Sequence, residues 1–223
     1  MDELIRNIAV YALPVLFAIT LHEAAHAYAA RYFGDNTAYA AGRMSLNPLK
    51  HVDPFGTILM PLALYLSTGF VFGYAKPVPV DFARLKNPKR DMAWVALAGP
   101  GANFLMALMW LVFGYALVIF GVGEMFPHKV AQAGILANLL MFAFNLLPLP
   151  PLDGSRVVMS ALPGKLAYKY ARLEPYGIFI LLGLLVLSRF GLPNLLGFWV
   201  YPLMKIGDYA LHLIASPLSF FVK

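Results

Sequence analysis

Apolar residues fall into long runs along this sequence, and polar, proline-rich or basic segments separate the runs. A helix needs about 20 apolar residues to cross a bilayer, and most of these runs approach or exceed that length. Prolines near several run ends favour helix termination there. The pattern predicts an all-α polytopic membrane protein with five to six membrane helices and room for a small β-hairpin in the loops. The runs cover residues 4–33, 54–68, 92–122, 130–147, 176–187 and 195–221.

The amino-acid composition supports a membrane protein and narrows its class. Of the 223 residues, 61% are hydrophobic and only 13% are charged, whereas a soluble domain carries about 25% charged residues. The net charge is +6, but the 17 Lys and Arg are spread over loops, so we expect a lipid bilayer and no nucleic acid as partner. The absence of cysteine excludes thiolate ligands, a cysteine nucleophile and disulfides. We expect one domain, 1–223, with a core at 4–156 and C-terminal helices at 157–223.

Three ionisable residues, His22, Glu23 and His26, interrupt the first apolar run in the pattern H-E-x-x-H. Ionisable groups are costly at membrane depth and usually mark function. On a helix both histidines lie on one face, where two imidazole nitrogens can bind one Zn²⁺. Glu23 stands beside the first ligand and can take a proton from water and pass it to a leaving amine. The other interpretation is a hydrogen-bonded His/Glu cluster that packs two helices together.

A catalytic zinc needs a third protein ligand and an open coordination position. Asp153 is the best candidate, because it follows a proline-rich stretch, 148–151, that forces a helix-breaking path. The backbone groups freed there must be satisfied by protein or by a water-filled cavity. The alternative role of Asp153 is to cap a helix that starts at Ser155. Among the other histidines, His51 in a loop is a weak ligand candidate. We expect His128 to lie at the surface and His212 to pack between helices.

Two asparagines lie in or at the end of apolar runs. Asn103 follows Gly99 and Gly101, and it could hydrogen-bond a ligand or substrate at the site, or bond two helices together across a small-residue contact. Asn145 precedes the proline-rich stretch, and it could stabilise an oxyanion or hold substrate backbone, or merely satisfy freed carbonyls. Both alternatives stay open for each asparagine.

Two motifs together resemble the site-2 protease family of intramembrane zinc metalloproteases. They are HEAAH at 22–26 and NLLPLPPLDG at 145–154. GPGAN at 99–103 resembles the family's small-residue motif, and the loops 47–54 and 73–80 are similar to those of its short bacterial members. The resemblance covers most of 4–156 and implies a short bacterial or archaeal type of member without a PDZ or CBS module. It implies one Zn²⁺ per chain. The implied ligands are His22, His26 and Asp153, and the implied catalytic glutamate is Glu23.

Two topologies are compatible with the apolar runs, because the run 54–68 is short for a span. If it crosses the membrane, the histidines of the first run and Asp153 after the fourth run lie at opposite faces of the membrane. If it re-enters or lies at the interface, these residues lie at the same face and can meet. The re-entrant arrangement also gives the stronger asymmetry of Lys and Arg between the two faces. We therefore expect a re-entrant or interfacial segment, an outside N-terminus and an active site toward the cytoplasm.

The resemblance implies an endopeptidase of the plasma membrane that hydrolyses a peptide bond in or next to a transmembrane helix of a membrane-protein substrate, in regulated intramembrane proteolysis. A non-hydrolytic metal-binding membrane protein or metal transporter is the alternative, and it requires further ligands along a path through the bilayer. A structural membrane scaffold is a third class. No oligomeric state is predicted.

Overall fold

The computed structural model describes residues 2–60, 63, 73, 75–189 and 194–221. No β-strand occurs among these residues, so the predicted hairpin is not confirmed. Shorter 3₁₀ and π turns occupy Pro48–Lys50, Pro54–Leu59, Phe82–Arg84, Glu174–Tyr176 and Ser216–Phe221. The α-helices are α1 (Asp2–Tyr32), α2 (Thr37–Ala40), α3 (Pro88–Ile119), α4 (Met125–Asn145), α5 (Asp153–Ala161), α6 (Gly164–Ala171), α7 (Gly177–Arg189) and α8 (Leu195–Ala215).

Three helical stretches in the described part of the chain are long and apolar enough to cross a membrane: Ile5–Tyr32, Pro88–Ile119 and Gly164–Leu187. The first two coincide with α1 and α3, and the third runs through α6 and α7. They confirm helices of the membrane type, but the predicted number of five to six is not confirmed. Residues 61, 62 and 64–68 of the proposed re-entrant run 54–68 lie outside the described residues, so the path of this run stays a prediction.

Helices α1, α3 and α4 pack against one another and form the centre of the molecule, while α5 packs on α3 and α8 packs on α4. Small residues allow the close approach. Ala18 and Ala27 of α1 are fully buried, and a Cβ atom at Gly134 of α4 would stand 2.3 Å from the Trp110 ring of α3. The close contact of these three helices brings polar side chains from separate parts of the sequence together.

Asp35 fixes the loop that leaves α1 to the loop that enters α3. Its carboxylate is fully buried and accepts hydrogen bonds from Thr37 N at 2.9 Å and from Asp81 N at 2.8 Å. Burial raises the pKa of Asp35, but the hydrogen bonds from Thr37 and Asp81 outweigh it and hold the pKa below its ordinary value. The ionised carboxylate therefore stabilises the fold next to the end of α1.

Replacing Asp35 by Asn should destabilise the protein at pH 7 by about 1–3 kcal/mol, because an amide cannot accept all of these bonds and its NH₂ group faces backbone donors. A lowered folded-state pKa means that the stabilisation is complete above the ordinary Asp pKa of about 4 and is lost as the pH falls through the lower value. Thermal unfolding measured between pH 7 and pH 3 should show the gap between wild type and variant closing at acid pH. Glu124→Gln, at an exposed position, is the control; a gap that persists unchanged at pH 3 contradicts the role assigned to the Asp35 carboxylate.

Candidate metal centre and active site

His22 and His26 of α1 meet Asp153, the first residue of α5, in the interior of the helix bundle. The two Nε2 atoms are 3.1 Å apart, and Asp153 Oδ2 and Oδ1 lie 3.1 Å and 3.3 Å from Nε2 of His22 and His26 respectively. His22 is 5% exposed and His26 is 9% exposed. The three residues that the sequence singled out as ligand candidates thus lie within contact distance of one another.

Asp153 does not cap the helix that it begins. Leu152 occupies the N-cap position, and no side chain caps α5 there. The Asp153 carboxylate points instead at the two histidines, and its Oδ2 atom is buried without a hydrogen-bond partner among the described residues. The capping role that the sequence left open is therefore not observed, and the proline-rich turn before α5 directs a carboxylate into the bundle.

The outer ring nitrogen of each histidine is held by a hydrogen-bond acceptor. His26 Nδ1 lies 2.8 Å from the Val95 carbonyl oxygen, which can only accept, so Nδ1 carries the proton. His22 Nδ1 lies 2.6 Å from Asn103 Oδ1. In each neutral ring the Nε2 atom therefore carries no proton, and its lone pair faces Asp153.

The orientation of the Asn103 amide is fixed by a chain of buried partners. Asn103 Nδ2 donates to the Ala18 carbonyl at 3.2 Å and to Asn138 Oδ1 at 3.0 Å. Asn138 Nδ2 in turn donates to the Gly134 carbonyl at 2.9 Å. Both asparagines are completely buried. The backbone carbonyls at the two ends accept only, so this chain leaves Asn103 Oδ1 as the acceptor for His22.

Two imidazole nitrogens and one carboxylate converge here, and a cation held between them would balance the charge of the carboxylate. Ligand atoms about 2.0–2.2 Å from a tetrahedral zinc are about 3.3–3.6 Å apart, close to the separations of 3.1 Å and 3.3 Å between these atoms. Two histidines and one aspartate leave a fourth position open, as catalytic zinc sites do. The buried Asp153 oxygen without a partner and the tautomers set by hydrogen bonds both fit a bound zinc ion.

Gly99 of α3 provides the space for the two histidine rings. A Cβ atom at Gly99 would lie 2.4 Å from His26 Nε2 and 2.6 Å from His22 Nε2, whereas one at Gly101 would meet nothing within 4 Å. From the sequence, both glycines were expected to lie at a small-residue contact between helices. Only Gly99 has that role, and its close neighbours are the rings at the centre of the metal site.

Replacing Gly99 by Ala should therefore displace one or both imidazoles and lower zinc affinity by at least about 10–100-fold, the loss that even outer partners of zinc ligands cause. Zinc per chain, measured after dialysis against a weak chelator, tests this expectation. Gly101→Ala is the matched control, since it adds the same methyl group to the same helix in open space. Equal zinc retention by the two variants would contradict the role assigned to Gly99.

Glu23 lies beside the ligands and contacts a segment from a distant part of the chain. Its Oε2 atom accepts a hydrogen bond from Val78 N at 2.8 Å. Residues 75–80 form neither helix nor turn there. Lys76 holds the segment in place, because its N–H donates to the His51 carbonyl at 2.9 Å and its carbonyl accepts from the Arg43 guanidinium at 2.8 Å. The general-base candidate and a backbone segment without helix or turn therefore share one wall of the site.

A cavity of about 260 Å³ opens onto these groups. The two histidines, Glu23 and Asp153 line it together with further residues from segment 75–80 and from the end of α4, among them Pro77, Val78, Val80 and Asn145. Asn145 is held within its helix by a bond from Nδ2 to the Met141 carbonyl at 3.0 Å. A peptide in this cavity would contact the proposed metal, Glu23 and backbone groups at once.

The remaining histidines lie away from the metal centre. His51 is fully buried, and its Nε2 atom lies 2.7 Å from the Ser45 carbonyl, so the weak ligand candidate contacts loop backbone instead. His128 Nε2 lies 2.8 Å from the Val122 carbonyl. The His212 side chain is 54% exposed, so the expected helix packing is not observed within one chain.

Asn138 is the site residue that the sequence interpretation missed. It lies in an apolar run, and this polar residue in an apolar context was the available signal. Its partner Asn103 combines the two roles left open by the sequence, since it bonds the candidate ligand His22 and also connects α1, α3 and α4. The substrate contact considered for Asn103 has no support in this geometry, because its amide groups are already occupied.

Comparisons with known proteins find a matching family and similar sequences. The model of peptidase family M50 matches residues 10–134. A protein of Bacillus subtilis, "Putative zinc metalloprotease YwhC", is 38% identical over 179 residues, which cover 78% of each chain. "Putative zinc metalloprotease Rip2" of Mycolicibacterium smegmatis is 28% identical over 205 residues, 87% of this chain and 73% of that protein. No solved structure matches this chain significantly.

The chain therefore belongs to peptidase family M50, the site-2 protease family. A Rip2 protein of Mycobacterium tuberculosis is also similar, 30% identical over 72% of this chain and 54% of its own length. The family match covers α1, α3 and the first part of α4, and so includes His22, Glu23 and His26. The resemblance inferred from the two sequence motifs is thereby confirmed.

Proposed function

We propose that this protein is a zinc-dependent intramembrane endopeptidase. The observation that carries the proposal is the convergence of His22, His26 and Asp153 beside Glu23, between helices long enough to cross a membrane. Membership of a peptidase family and relatives named as zinc metalloproteases support the same chemistry. His22, His26 and Asp153 would hold one zinc per chain. Zinc bound there would supply a Lewis acid that polarises the scissile carbonyl and acidifies water.

Glu23 is the proposed proton carrier. Its carboxylate would accept a proton from the attacking water and deliver it to the leaving amine nitrogen. The hydrogen bond from Val78 N holds one carboxylate oxygen and leaves the other for this transfer. Asn145, which lines the same cavity, is proposed to donate from its amide to the oxyanion or to substrate backbone. This donor would have to leave its present partner, the Met141 carbonyl.

Segment 75–80 is proposed to be extended and to act as the docking edge for an unwound substrate. In an extended chain, residues two apart present their N–H and C=O groups to the same edge, so Val80 faces the same side as Val78. Pro77 and Pro79 alternate with these valines and remove the N–H donors from the opposite edge. A substrate strand would therefore add on the cavity side, next to Glu23.

The distribution of basic residues supports a cytoplasmic active site in the plasma membrane. Lys86 lies in the loop before α3 and contacts the end of α1, where its N–H donates to the Phe33 carbonyl. Arg90 lies in the first turns of α3, and Arg156 lines the cavity itself. Cytoplasmic ends of membrane helices carry the excess of Lys and Arg. We propose accordingly that residues 1–223 act as one multi-pass domain that cleaves a transmembrane substrate near its cytoplasmic end.

Reconstitution in liposomes tests the function. Purified protein would be mixed with single-pass transmembrane helices that carry Gly or Pro near the cytoplasmic end, and mass spectrometry would locate any cut. We expect cleavage within or beside the apolar stretch, loss of cleavage after zinc removal by a chelator, and recovery on adding zinc. Zinc uptake into the liposomes without peptide cleavage would instead support a transporter. No cleavage and no uptake would favour the scaffold alternative.

A further inference from the structure

The outer face of α8 carries a row of aromatic and ionisable side chains. Phe198, Tyr201, Lys205, Asp208 and His212 follow one another at alternating intervals of three and four residues, which places them on one helix face. Phe198 is 82% and Tyr201 61% exposed, Lys205 and His212 are exposed as well, and the Asp208 side chain is 50% exposed. We call these five residues the α8 row. No described element of the chain covers it.

The opposite face of α8 anchors the row at membrane depth. Leu211 is buried against Leu111 of α3 and Leu139 of α4, and Val200 is buried against Ala143 of α4. Helix α8 therefore runs antiparallel to α4 and alongside α3, which can cross a membrane. Helix α3 continues from Leu111 to Ile119, about 12 Å at 1.5 Å per residue. The residues beside Leu111 thus lie well inside the apolar layer.

A lysine and an aspartate facing lipid at this depth would each be costly, so such groups pair with a partner. Within the chain, only some of the ionisable groups of the α8 row have a polar partner. His212 Nε2 lies 3.7 Å from Asp208 Oδ1, and the Lys205 ammonium lies 5.4 Å from the centre of the Tyr201 ring. No carboxylate of the described residues lies within 4.0 Å of the Lys205 ammonium. The charge of Lys205 therefore calls for a partner outside the chain.

The spacing and the charges of the row both point to a second copy of the same helix. Alternating intervals of three and four residues form the seam along which two helices pack. Two copies inserted in the same orientation bring their α8 helices together in parallel around a two-fold axis. In a parallel pair, each seam residue lies opposite the same residue of the other helix and beside the next seam residue, so Lys205 of each copy lies within reach of Asp208 of the other. An apolar transmembrane helix would offer neither charge.

We propose that α8 forms the interface of a symmetric dimer in the membrane, with the α8 row of one copy packed against that of the other. The two Lys205–Asp208 contacts neutralise both charges in the lipid-excluded seam, and the aromatic residues fill the rest of it. The proposal is independent of proteolysis, because it concerns a face opposite to the side of α8 that packs on the bundle.

Charge reversal tests the pairing. Dimer fraction in liposomes would be measured by single-molecule photobleaching over a range of protein-to-lipid ratios. We expect wild type to be dimeric, Lys205→Glu and Asp208→Lys each to need at least about 10-fold more protein per lipid, and the double swap to recover. Retained zinc would verify folding of each variant. A monomeric wild type at every ratio, or single reversals without any shift, would overturn the proposal.

Cysteine cross-linking gives a second readout, because the chain contains no cysteine. Tyr201→Cys places one thiol in the row, and Met109→Cys, at a position of α3 that is 68% exposed, serves as the control. Under mild oxidation in liposomes, Tyr201→Cys should cross-link to itself and Met109→Cys should not. Equal cross-linking of the two variants, or none of either, would contradict an interface at α8.

Discussion

Glu23→Gln should abolish peptide cleavage while leaving zinc bound. Glutamine keeps the shape of glutamate and an oxygen that can accept from Val78 N, the present partner of Glu23, but it cannot take a proton from water. Removal of a general base costs about 10²–10⁴-fold in rate. Cleavage in liposomes and zinc per chain, measured on the same preparation, should therefore separate, with the rate lost and the metal retained.

The matched variant is Glu124→Gln, the same substitution at an exposed carboxylate away from the cavity. Its cleavage rate should stay within a few-fold of wild type. If Glu23→Gln cleaves as fast as this control, Glu23 is not the proton carrier. If Glu23→Gln loses zinc as well, the residue acts on metal binding and the proposed division of roles is wrong.

Asp153→Ala should lose both zinc and cleavage. The two imidazoles would remain, but the carboxylate that lies 3.1 Å and 3.3 Å from them supplies the only negative charge in this set of three. We expect zinc affinity to fall by more than the 10–100-fold that loss of an outer partner causes. Competition with a chromogenic zinc chelator measures the change directly.

Loss of the fold would imitate this result, so the design includes a stability readout. In the absence of zinc, Asp153→Ala should still unfold in one cooperative transition, which shows that the variant is folded. Added zinc should then raise the unfolding temperature of wild type only, because a ligand stabilises the state that binds it. Equal stabilisation of both proteins by zinc would exclude Asp153 as a ligand.

The three candidate ligands could be picked out from the sequence because their spacing is typical of a metal site. His22 and His26 are four residues apart on one helix, and Asp153 follows a stretch that no helix can traverse. The supporting contacts were not predictable in this way. That Asn138 orients Asn103, and that Gly99 faces the imidazoles, depends on the packing of α1, α3 and α4, which no local pattern specifies.

The number of membrane helices shows the opposite limit. Helix α4 buries Asn138 and α8 carries the ionisable row, and these polar residues lower the mean hydropathy of helices that still pack along α3. The mean hydropathy of a helix therefore does not give the number of membrane spans in a protein whose helices carry polar residues. In the same way, the role of His51 could not be predicted, because its carbonyl contacts Lys76 from a distant loop.

X-ray absorption at the zinc edge of the purified protein tests the proposed metal centre most directly. A single zinc held by His22, His26 and Asp153 should show two imidazole nitrogens at about 2.0–2.1 Å, with oxygen at about 2.0–2.2 Å in the other positions. The spectrum should change in Asp153→Ala and stay the same in Glu23→Gln. Zinc surrounded by oxygen alone, or a spectrum that Asp153→Ala leaves unchanged, would contradict this metal centre.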